Sequence, residues 1–255
     1  MPSLSDSRGI LYPHHLPRFE RRPAPADLTH MIRWFWIPRW NLPPGEVSTQ
    51  KVLPFPATNL VIEPSMIALH GPTTKLSIRK LRGSGWAVGA LLRPAGTGAL
   101  HPGMTCGTTL RINAPALHRS VVSSMPHDAD TAVDTYAQWM RERAADVNEG
   151  WQLANRMEDI IAGDRGIVRV EQVAEQLHVS VRSVQRLAKR YVGVSPVAMI
   201  RRYRLQEAAQ RLREDTHTTI AQIAADLGYA DHAHLNADFR QVLGFNPGDY
   251  RRTSA

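Results

Sequence analysis

Four side chains in the C-terminal half have the types and spacing of a surface that reads nucleic acid: Arg182, Gln185, Arg186 and Lys189. At about 100° per residue they share one side of a helix, while Val184, Leu187, Ala188 and Tyr191 share the other. Arginine can offer guanine two parallel hydrogen bonds, glutamine can do the same for adenine, and lysine neutralises phosphate. Val181 and Arg190 flank this face and complete the candidate set. A second set follows at His232, His234, Asn236 and Arg240, with Gln241 beside them and Ala237 and Asp238 in the middle of the exposed face. A carboxylate near a DNA backbone is repelled by phosphate. The first set is therefore expected to discriminate bases, and the second to act as a positioning clamp.

Both sets sit in a duplicated element. Val173-Ala174 followed by Leu177 reappears as Ile223-Ala224 followed by Leu227, and Gly193-Val194-Ser195-Pro196 reappears as Gly244-Phe245-Asn246-Pro247. Each copy reads as a short helix, a turn and a second helix. Ser180 and Asp231 are predicted to cap the second helices, and Gly193 and Gly244 to end them in the left-handed conformation. Ser195-Pro196 and Asn246-Pro247 then supply a cap and a first-turn proline for the next helix. A helix, a tight turn and a helix, repeated, is the DNA-binding supersecondary unit in duplicate. The predicted connecting helix, Pro196 to Arg213, has 18 residues. That spans about 27 Å, close to the roughly 34 Å of one DNA turn, so both recognition helices can enter successive major grooves over about 17–20 base pairs.

Charge agrees with this placement. The 255 residues carry a formal net charge of +8. Between Arg182 and Arg213 lie nine basic residues (Arg182, Arg186, Lys189, Arg190, Arg201, Arg202, Arg204, Arg211, Arg213) against the single acid Glu207, so that segment alone is +8. Charge by itself fits a solvated helix face equally well, and the repeat decides for phosphate.

The elements that carry this tail differ in texture. Residues 1–25, rich in Pro, Arg and Ser, are expected to form a flexible arm. Residues 26–125 alternate short apolar runs (Met31–Ile37, Lys51–Phe55, Asn59–Ile62, Met66–His70, Lys75–Ile78, Trp86–Leu92, Thr108–Ile112) with Pro and Gly, the pattern of a β-sandwich or barrel. Residues 126–163 read as a helical connector, with helices over Thr131–Val147 and Trp151–Ile161, and residues 164–255 as the all-α double helix-turn-helix domain. The fold class expected is multidomain, α and β.

The stretch Val170–Arg251 resembles the DNA-binding domain of the AraC/XylS family, named for the arabinose-operon regulator. The matching pieces are Leu177-His-Val-Ser-Val-Arg-Ser-Val-Gln-Arg186, Gly193-Val-Ser-Pro196, Arg202-Tyr-Arg-Leu205 with Ala208, Ile223-Ala-Ala-Asp-Leu-Gly-Tyr229, Phe239-Arg240, Gly244-Phe-Asn-Pro247 and Tyr250-Arg251. By that resemblance Arg182, Gln185 and Arg186 are base and phosphate contacts, and His232, Ala233, His234 and Ala237 hold the equivalent places in the second unit. Ala237 stands where the family often has arginine, and Ala188 where it often has an aromatic. The N-terminal part, through Lys51-Val-Leu-Pro54, Asn59-Leu-Val-Ile62, Gly71-Pro-Thr-Thr74 and Gly89-Ala-Leu-Leu-Arg-Pro94, resembles a cupin-like sensor of an uncharacterised subgroup. The resemblance implies a cupin-like β-barrel that senses a small molecule or mediates dimerisation. It also implies double-stranded DNA, a small-molecule effector, RNA polymerase and a second copy of the chain as partners.

The remaining chemistry-bearing residues point to bulk roles. His232 and His234 lie about 200° apart on a helix and do not share a metal. His70, His101, Cys106 and His118 lack the close histidine–glutamate spacing of a metal-binding cupin. Cys106 is expected to be a buried small residue, and Trp34, Trp36, Trp40 and Trp86 to pack core or barrel mouth rather than cage a ligand. Tyr136, Trp139 and Met140 form a candidate dimer seam. No catalytic residues, cofactor or metal are expected. A single cysteine, no secretory leader and no apolar run near the roughly 20 residues of a membrane span point to the cytoplasm. The function expected is a ligand-responsive, sequence-specific DNA-binding transcription regulator. The alternatives are a metal-dependent cupin-type enzyme fused to a DNA-binding tail, and a ligand-independent dimeric regulator.

Overall fold

The computed structural model describes residues 8–9, 11–12, 18–144, 148–215 and 217–254. Its N-terminal part is built on an antiparallel sheet of strands β1 (Arg18–Pro23), β2 (Ile32–Asn41), β4 (Asn59–Glu63), β5 (Met66–His70), β8 (Val88–Leu92) and β9 (Thr109–Arg111). They run in the order β1-β2-β8-β4-β5-β9, and β7 (Ser84–Trp86) extends the sheet beside β2. Strands β3 (Val47–Val52) and β6 (Ser77–Arg82) pair separately as a two-stranded ribbon.

The sheet is open, which corrects the expectation of a closed barrel. Among the described residues, edge strands β1 and β9 each have one partner and do not meet. Closure is unnecessary because helices cover the apolar face. Ile32, Phe35, Ile37, Leu60, Ile62, Leu69, Val88 and Ala90 pack on α2 (Pro115–Ser124) and α3 (Ala129–Arg141). The opposite face presents Trp34 and Leu91 to the C-terminal half. A register irregularity between Ile32 and Trp34 switches β2's alternation and sends Trp34 to that second face.

Several boundaries also differ from expectation. The supposed arm contains β1, whose Arg18–Pro23 pair with Pro23↔Trp34 through Arg18↔Arg39 on β2. The β-rich stretch contains two helices, α1 (Pro94–Leu100) and α2, each started by a first-turn proline that also reads as loop punctuation. In α1, Gly96 and Gly98 permit close packing: a Cβ would stand 2.1 Å from Met31 O and 2.6 Å from the Trp151 ring. The helix expected over Thr131–Val147 ends at Arg141, and residues 145–147 lie outside the described residues.

The candidate dimer seam is core instead. Tyr136 and Met140 are fully buried, the Tyr136 hydroxyl donates to Leu60 O at 2.7 Å, and Trp139 packs beside Arg143. Cys106 is exposed rather than buried. The tryptophans do pack: Trp36 Nε1 donates to Asn59 Oδ1, and Trp34 meets Phe55 edge-on at 5.1 Å between ring centres.

Helix α4 (Glu149–Gly163) joins the halves. Asn155 on α4 is buried, accepts from Ala95 N at 3.1 Å and donates to His30 O at 2.7 Å. Glu158 lies between Arg33 (3.3 Å) and Arg93 (3.5 Å), and Arg93 also holds Asp159. Burial disfavours a lone charge, but the carboxylates facing Arg33 keep its guanidinium firmly ionised.

Candidate nucleic-acid interface

The first unit is α5 (Val170–Gln176), a turn, and α6 (Val181–Leu187) continued by a π-helical turn at Ala188–Val192. Ser180 caps α6 as predicted, accepting from Ser183 N at 3.1 Å. The turn places His178 at φ 54°, where the second copy has Gly228 at 69°. Val173, Ala174, Val184, Leu187 and Ala188 are buried against α4 and the start of α7 (Pro196–Glu214). That packing fixes which side of α6 stays open.

The open side carries the predicted residues. Arg182, Gln185, Arg186, Lys189 and Arg190 are all exposed, and Val181 is half-buried. Among the described residues, the side chains of Arg182, Gln185, Arg186 and Lys189 have no hydrogen-bond or ion-pair partner, while Arg190 lies over the Tyr191 ring at 5.2 Å. Three or four unpaired cations on one helical face, with no carboxylate among them, are free to neutralise phosphate and reach base edges. Gly193 ends the π-helical turn at φ 84°, and a Cβ there would stand 2.4 Å from Met104 O. The N-terminal part therefore abuts the rear end of this helix and leaves its cationic face open.

The second unit repeats the plan with α8 (Ile220–Asp226) and α9 (His232–Leu243). Asp231 caps α9 through His234 N at 2.7 Å, and Gly244 ends it at φ 82°. Ser195 caps α7 through Ala198 N (3.2 Å), and Asn246 starts α10 (Pro247–Ser254) through Asp249 N (2.8 Å). His232, His234 and Arg240 are exposed and Asn236 is half-buried. The His234 ring stands edge-on to Tyr229 at 5.2 Å, which ties it to its own domain. Among the described residues no group of three or more His, Cys, Asp or Glu is placed to hold a metal.

Two expectations about charge are corrected. Asp238 does not lie on the exposed face: it is 9% exposed, pairs with Arg201 at 2.5 Å and accepts from the Tyr229 hydroxyl at 3.2 Å. Burial, reinforced by Asp238, pushes the Tyr229 hydroxyl pKa up, so it stays a donor. The block from Arg182 to Arg213 is also not one phosphate-binding surface, because the arginines of α7 hold the domain together. Arg204 donates to Leu227 O (2.8 Å) and lies over Tyr229, Arg211 pairs with Glu207 and Asp226, and Arg213 pairs with Glu214. Arg202 is buried and donates to Thr73 O. Desolvation, with Arg201 adding to it, pulls its pKa down to about 10, which leaves it charged at neutral pH. Within the Arg182–Arg213 block, unpaired positive charge is concentrated on α6 and its extension. Helical spacing alone would have placed Arg202 and Arg204 off the solvent side; the count of charges hid that.

Comparison with known proteins follows this division. Residues 173–253 match the family described as Helix-turn-helix domain, and residues 20–105 match Domain of unknown function (DUF6597). An AraC-like transcription regulator of Streptomyces antibioticus is 35% identical over 119 residues, 44% of this chain and 39% of that protein. The HTH-type transcriptional activator RhaS of Salmonella arizonae is 34% identical over 82 residues, 32% of this chain and 29% of that protein. A solved transcriptional regulator from Chromobacterium violaceum, with an AraC-type DNA-binding domain, is 27% identical, covering 42% of this chain and 97% of that one at a TM-score of 0.37. The chain thus spans two-fifths or less of the length of these curated relatives. With its two capped helix pairs and the matched residues coinciding, the C-terminal part of the chain is a helix-turn-helix domain, similar to those of AraC-like transcription regulators.

Proposed function

We propose that this chain is a sequence-specific DNA-binding transcription regulator that acts by binding rather than by catalysis. The observation that carries the reading is the open face of α6, where Arg182, Gln185, Arg186 and Lys189 stand exposed without protein partners. Arg182, Gln185 and Arg186 read bases and adjacent phosphates. Val181, Lys189 and Arg190 hold the backbone around them, and His232, His234, Asn236 and Arg240 position the second unit in the next groove. On this reading the partners are double-stranded DNA, RNA polymerase and a second copy of the chain, and the compartment is the cytoplasm. Among the described residues no helix is long and apolar enough to cross a membrane.

A small-molecule effector would act at the junction of the two halves. A crevice with room for about one water lies there, lined by Ala57, Thr58, Pro94, Thr97, Glu158, Tyr191 and Val192. Thr58 Oγ1 is buried there without a hydrogen-bond partner, and Glu158 Oε2 faces Arg33 and Arg93. Tyr191 and Val192 end the π-helical extension of α6, so a small molecule that widened this crevice would shift that end of the helix. The test is selection of bound duplexes from a random pool by the full chain. One enriched motif is expected, and Arg182→Ala/Arg186→Ala should abolish its enrichment, since each bidentate contact contributes about 1–3 kcal/mol of discrimination. A pool that stays random after repeated rounds with folded protein would sink the reading.

A further inference from the structure

A second concentration of positive charge lies outside the helix-turn-helix domain. Between Glu63 and Asp128 the chain has no acidic residue and seven basic ones: Lys75, Arg79, Lys80, Arg82, Arg93, Arg111 and Arg119. Three of them fall on β6, and the loop before it carries Lys75. Directly opposite residues of an antiparallel pair project to the same side. The register Val47↔Arg82, Thr49↔Lys80 and Lys51↔Ile78 therefore puts Lys51, Lys80 and Arg82 on one side of the β3–β6 ribbon, with Val47, Thr49 and Ile78 between them. The other side contains Gln50, which is buried, and half-buried Leu81. Among the described residues the exposed large hydrophobic side chains are Val47, Ile78 and Val197, and two of these three lie on this cationic side.

The ribbon adjoins the second unit. Leu53 and Leu76, at its inner end, pack into the core formed by Leu205, Leu235, Phe239 and Tyr250. Lys51 Nζ stands 5.4 Å from the Phe245 ring, one residue beyond the glycine that ends α9. Arginine and lysine on a twisted two-stranded ribbon, about 20 Å long for six residues, suit the phosphate spacing and groove width of a duplex.

We infer that the solvent side of the β3–β6 ribbon is a third DNA contact, holding phosphates that flank the segment bound by the second helix-turn-helix unit; this rests on the DNA-binding reading above. Charge selects this occupant over a second copy of the chain. Two such ribbons face to face would bring six cations together with no anion between them, whereas a duplex offers a phosphate charge about every 1.7 Å. Ile78 and Val47 then cover sugar edges, and Lys51, Lys80 and Arg82 displace counterions.

The experiment titrates the full chain against a mixed-sequence 30-base-pair duplex at several NaCl concentrations. The chains compared are the wild type, Lys80→Ala/Arg82→Ala and Arg182→Ala/Arg186→Ala, each checked by thermal melting. Loss of two phosphate contacts should flatten the slope of log affinity against log salt by about 1.8. Between 50 and 200 mM salt the wild type should then lose about tenfold more affinity than Lys80→Ala/Arg82→Ala. A flattened slope for both variants supports the inference. A slope changed only by Arg182→Ala/Arg186→Ala overturns it and leaves the regulator reading standing. Failure of the folded wild type to bind any duplex overturns both. A Lys80→Ala/Arg82→Ala chain with unchanged slope but altered sedimentation assigns the ribbon to self-association and overturns the inference.

Discussion

Replacing Asp238 by alanine separates the packed domain from the surface-charge reading of α9. In the structure this carboxylate accepts from two donors on other segments, the half-buried Arg201 on α7 and the buried Tyr229 hydroxyl after α8. Breaking a fully buried ion pair costs about 3–5 kcal/mol and an exposed one about 0–1. Asp238's side chain is 12% exposed and Arg201's 33%, so an intermediate value of about 2 kcal/mol applies. The Tyr229 hydroxyl, left buried without its acceptor, adds about 1 kcal/mol. The expected loss of about 3 kcal/mol lowers the urea midpoint by about 1 M if the slope is about 3 kcal/mol/M. Asp238→Asn keeps an acceptor for Tyr229 and loses the charge, so its midpoint falls by about half as much. Folded Asp238→Ala should bind a selected duplex no more tightly than wild type. Were this carboxylate facing phosphate, the substitution would leave the urea midpoint in place and strengthen DNA binding, a result that refutes the packing argument.

Other perturbations test the remaining parts. Gly228→Ala forces a side chain onto φ 69° and into Val168 Cγ1 at 2.5 Å, so stability should fall by about 2 kcal/mol in a urea melt. His178→Gly relieves the same strain in the first copy (φ 54°) and should raise stability by up to about 1 kcal/mol. In titrations on a selected duplex, Arg186→Ala should weaken binding about 10- to 100-fold. His234→Ala should cost less, because the ring is turned edge-on to Tyr229; equal losses would remove the asymmetry between the units. Phe55→Ala opens the junction where that ring meets Trp34 at 5.1 Å and Tyr203 at 5.9 Å. A loss of about 3 kcal/mol is expected, together with faster hydrogen exchange in α7.

What could be read from residue types was local. Capping is a contact between a side chain and a backbone amide two or three positions away, so Ser180, Ser195, Asp231 and Asn246 announced helix starts that the structure contains. The glycines at 193 and 244 announced stops because a residue without a side chain takes positive φ without strain. The roles of Asp238 and the arginines of α7 are not legible from local sequence because their partners lie on other helices: Asp238 meets Arg201, and Arg211 meets Asp226. Their charge was visible, but its neutralisation was not. The open sheet was hidden likewise. Pro94 and Pro115 start helices here, and only the tertiary pairing distinguishes that use of proline from a turn between strands. Candidate interface residues on α6 were legible because their role depends on the helix's own two sides.

The contacts across the junction bear on how such a molecule could respond to anything. Arg33 on β2 and Arg93 before α1 both grip Glu158 on α4, and Gln206 on α7 donates to Leu53 O at 2.9 Å. The tyrosine between them, Tyr203, is buried, and burial raises its hydroxyl pKa, so it stays neutral beside these charges. These links join the N-terminal sheet to α4, and the chain just after β3 to α7, the helix between the two helix-turn-helix units. A close-packed junction has few ways to yield by small amounts. On the proposed regulator reading, a change in the N-terminal part would reach α6 at its rear end, at Tyr191, Val192 and Gly193, where Met104 leaves no room for a Cβ. Regulation on this architecture would alter the angle between the two recognition helices, and with it the spacing of the grooves they can occupy together, without covering either reading face.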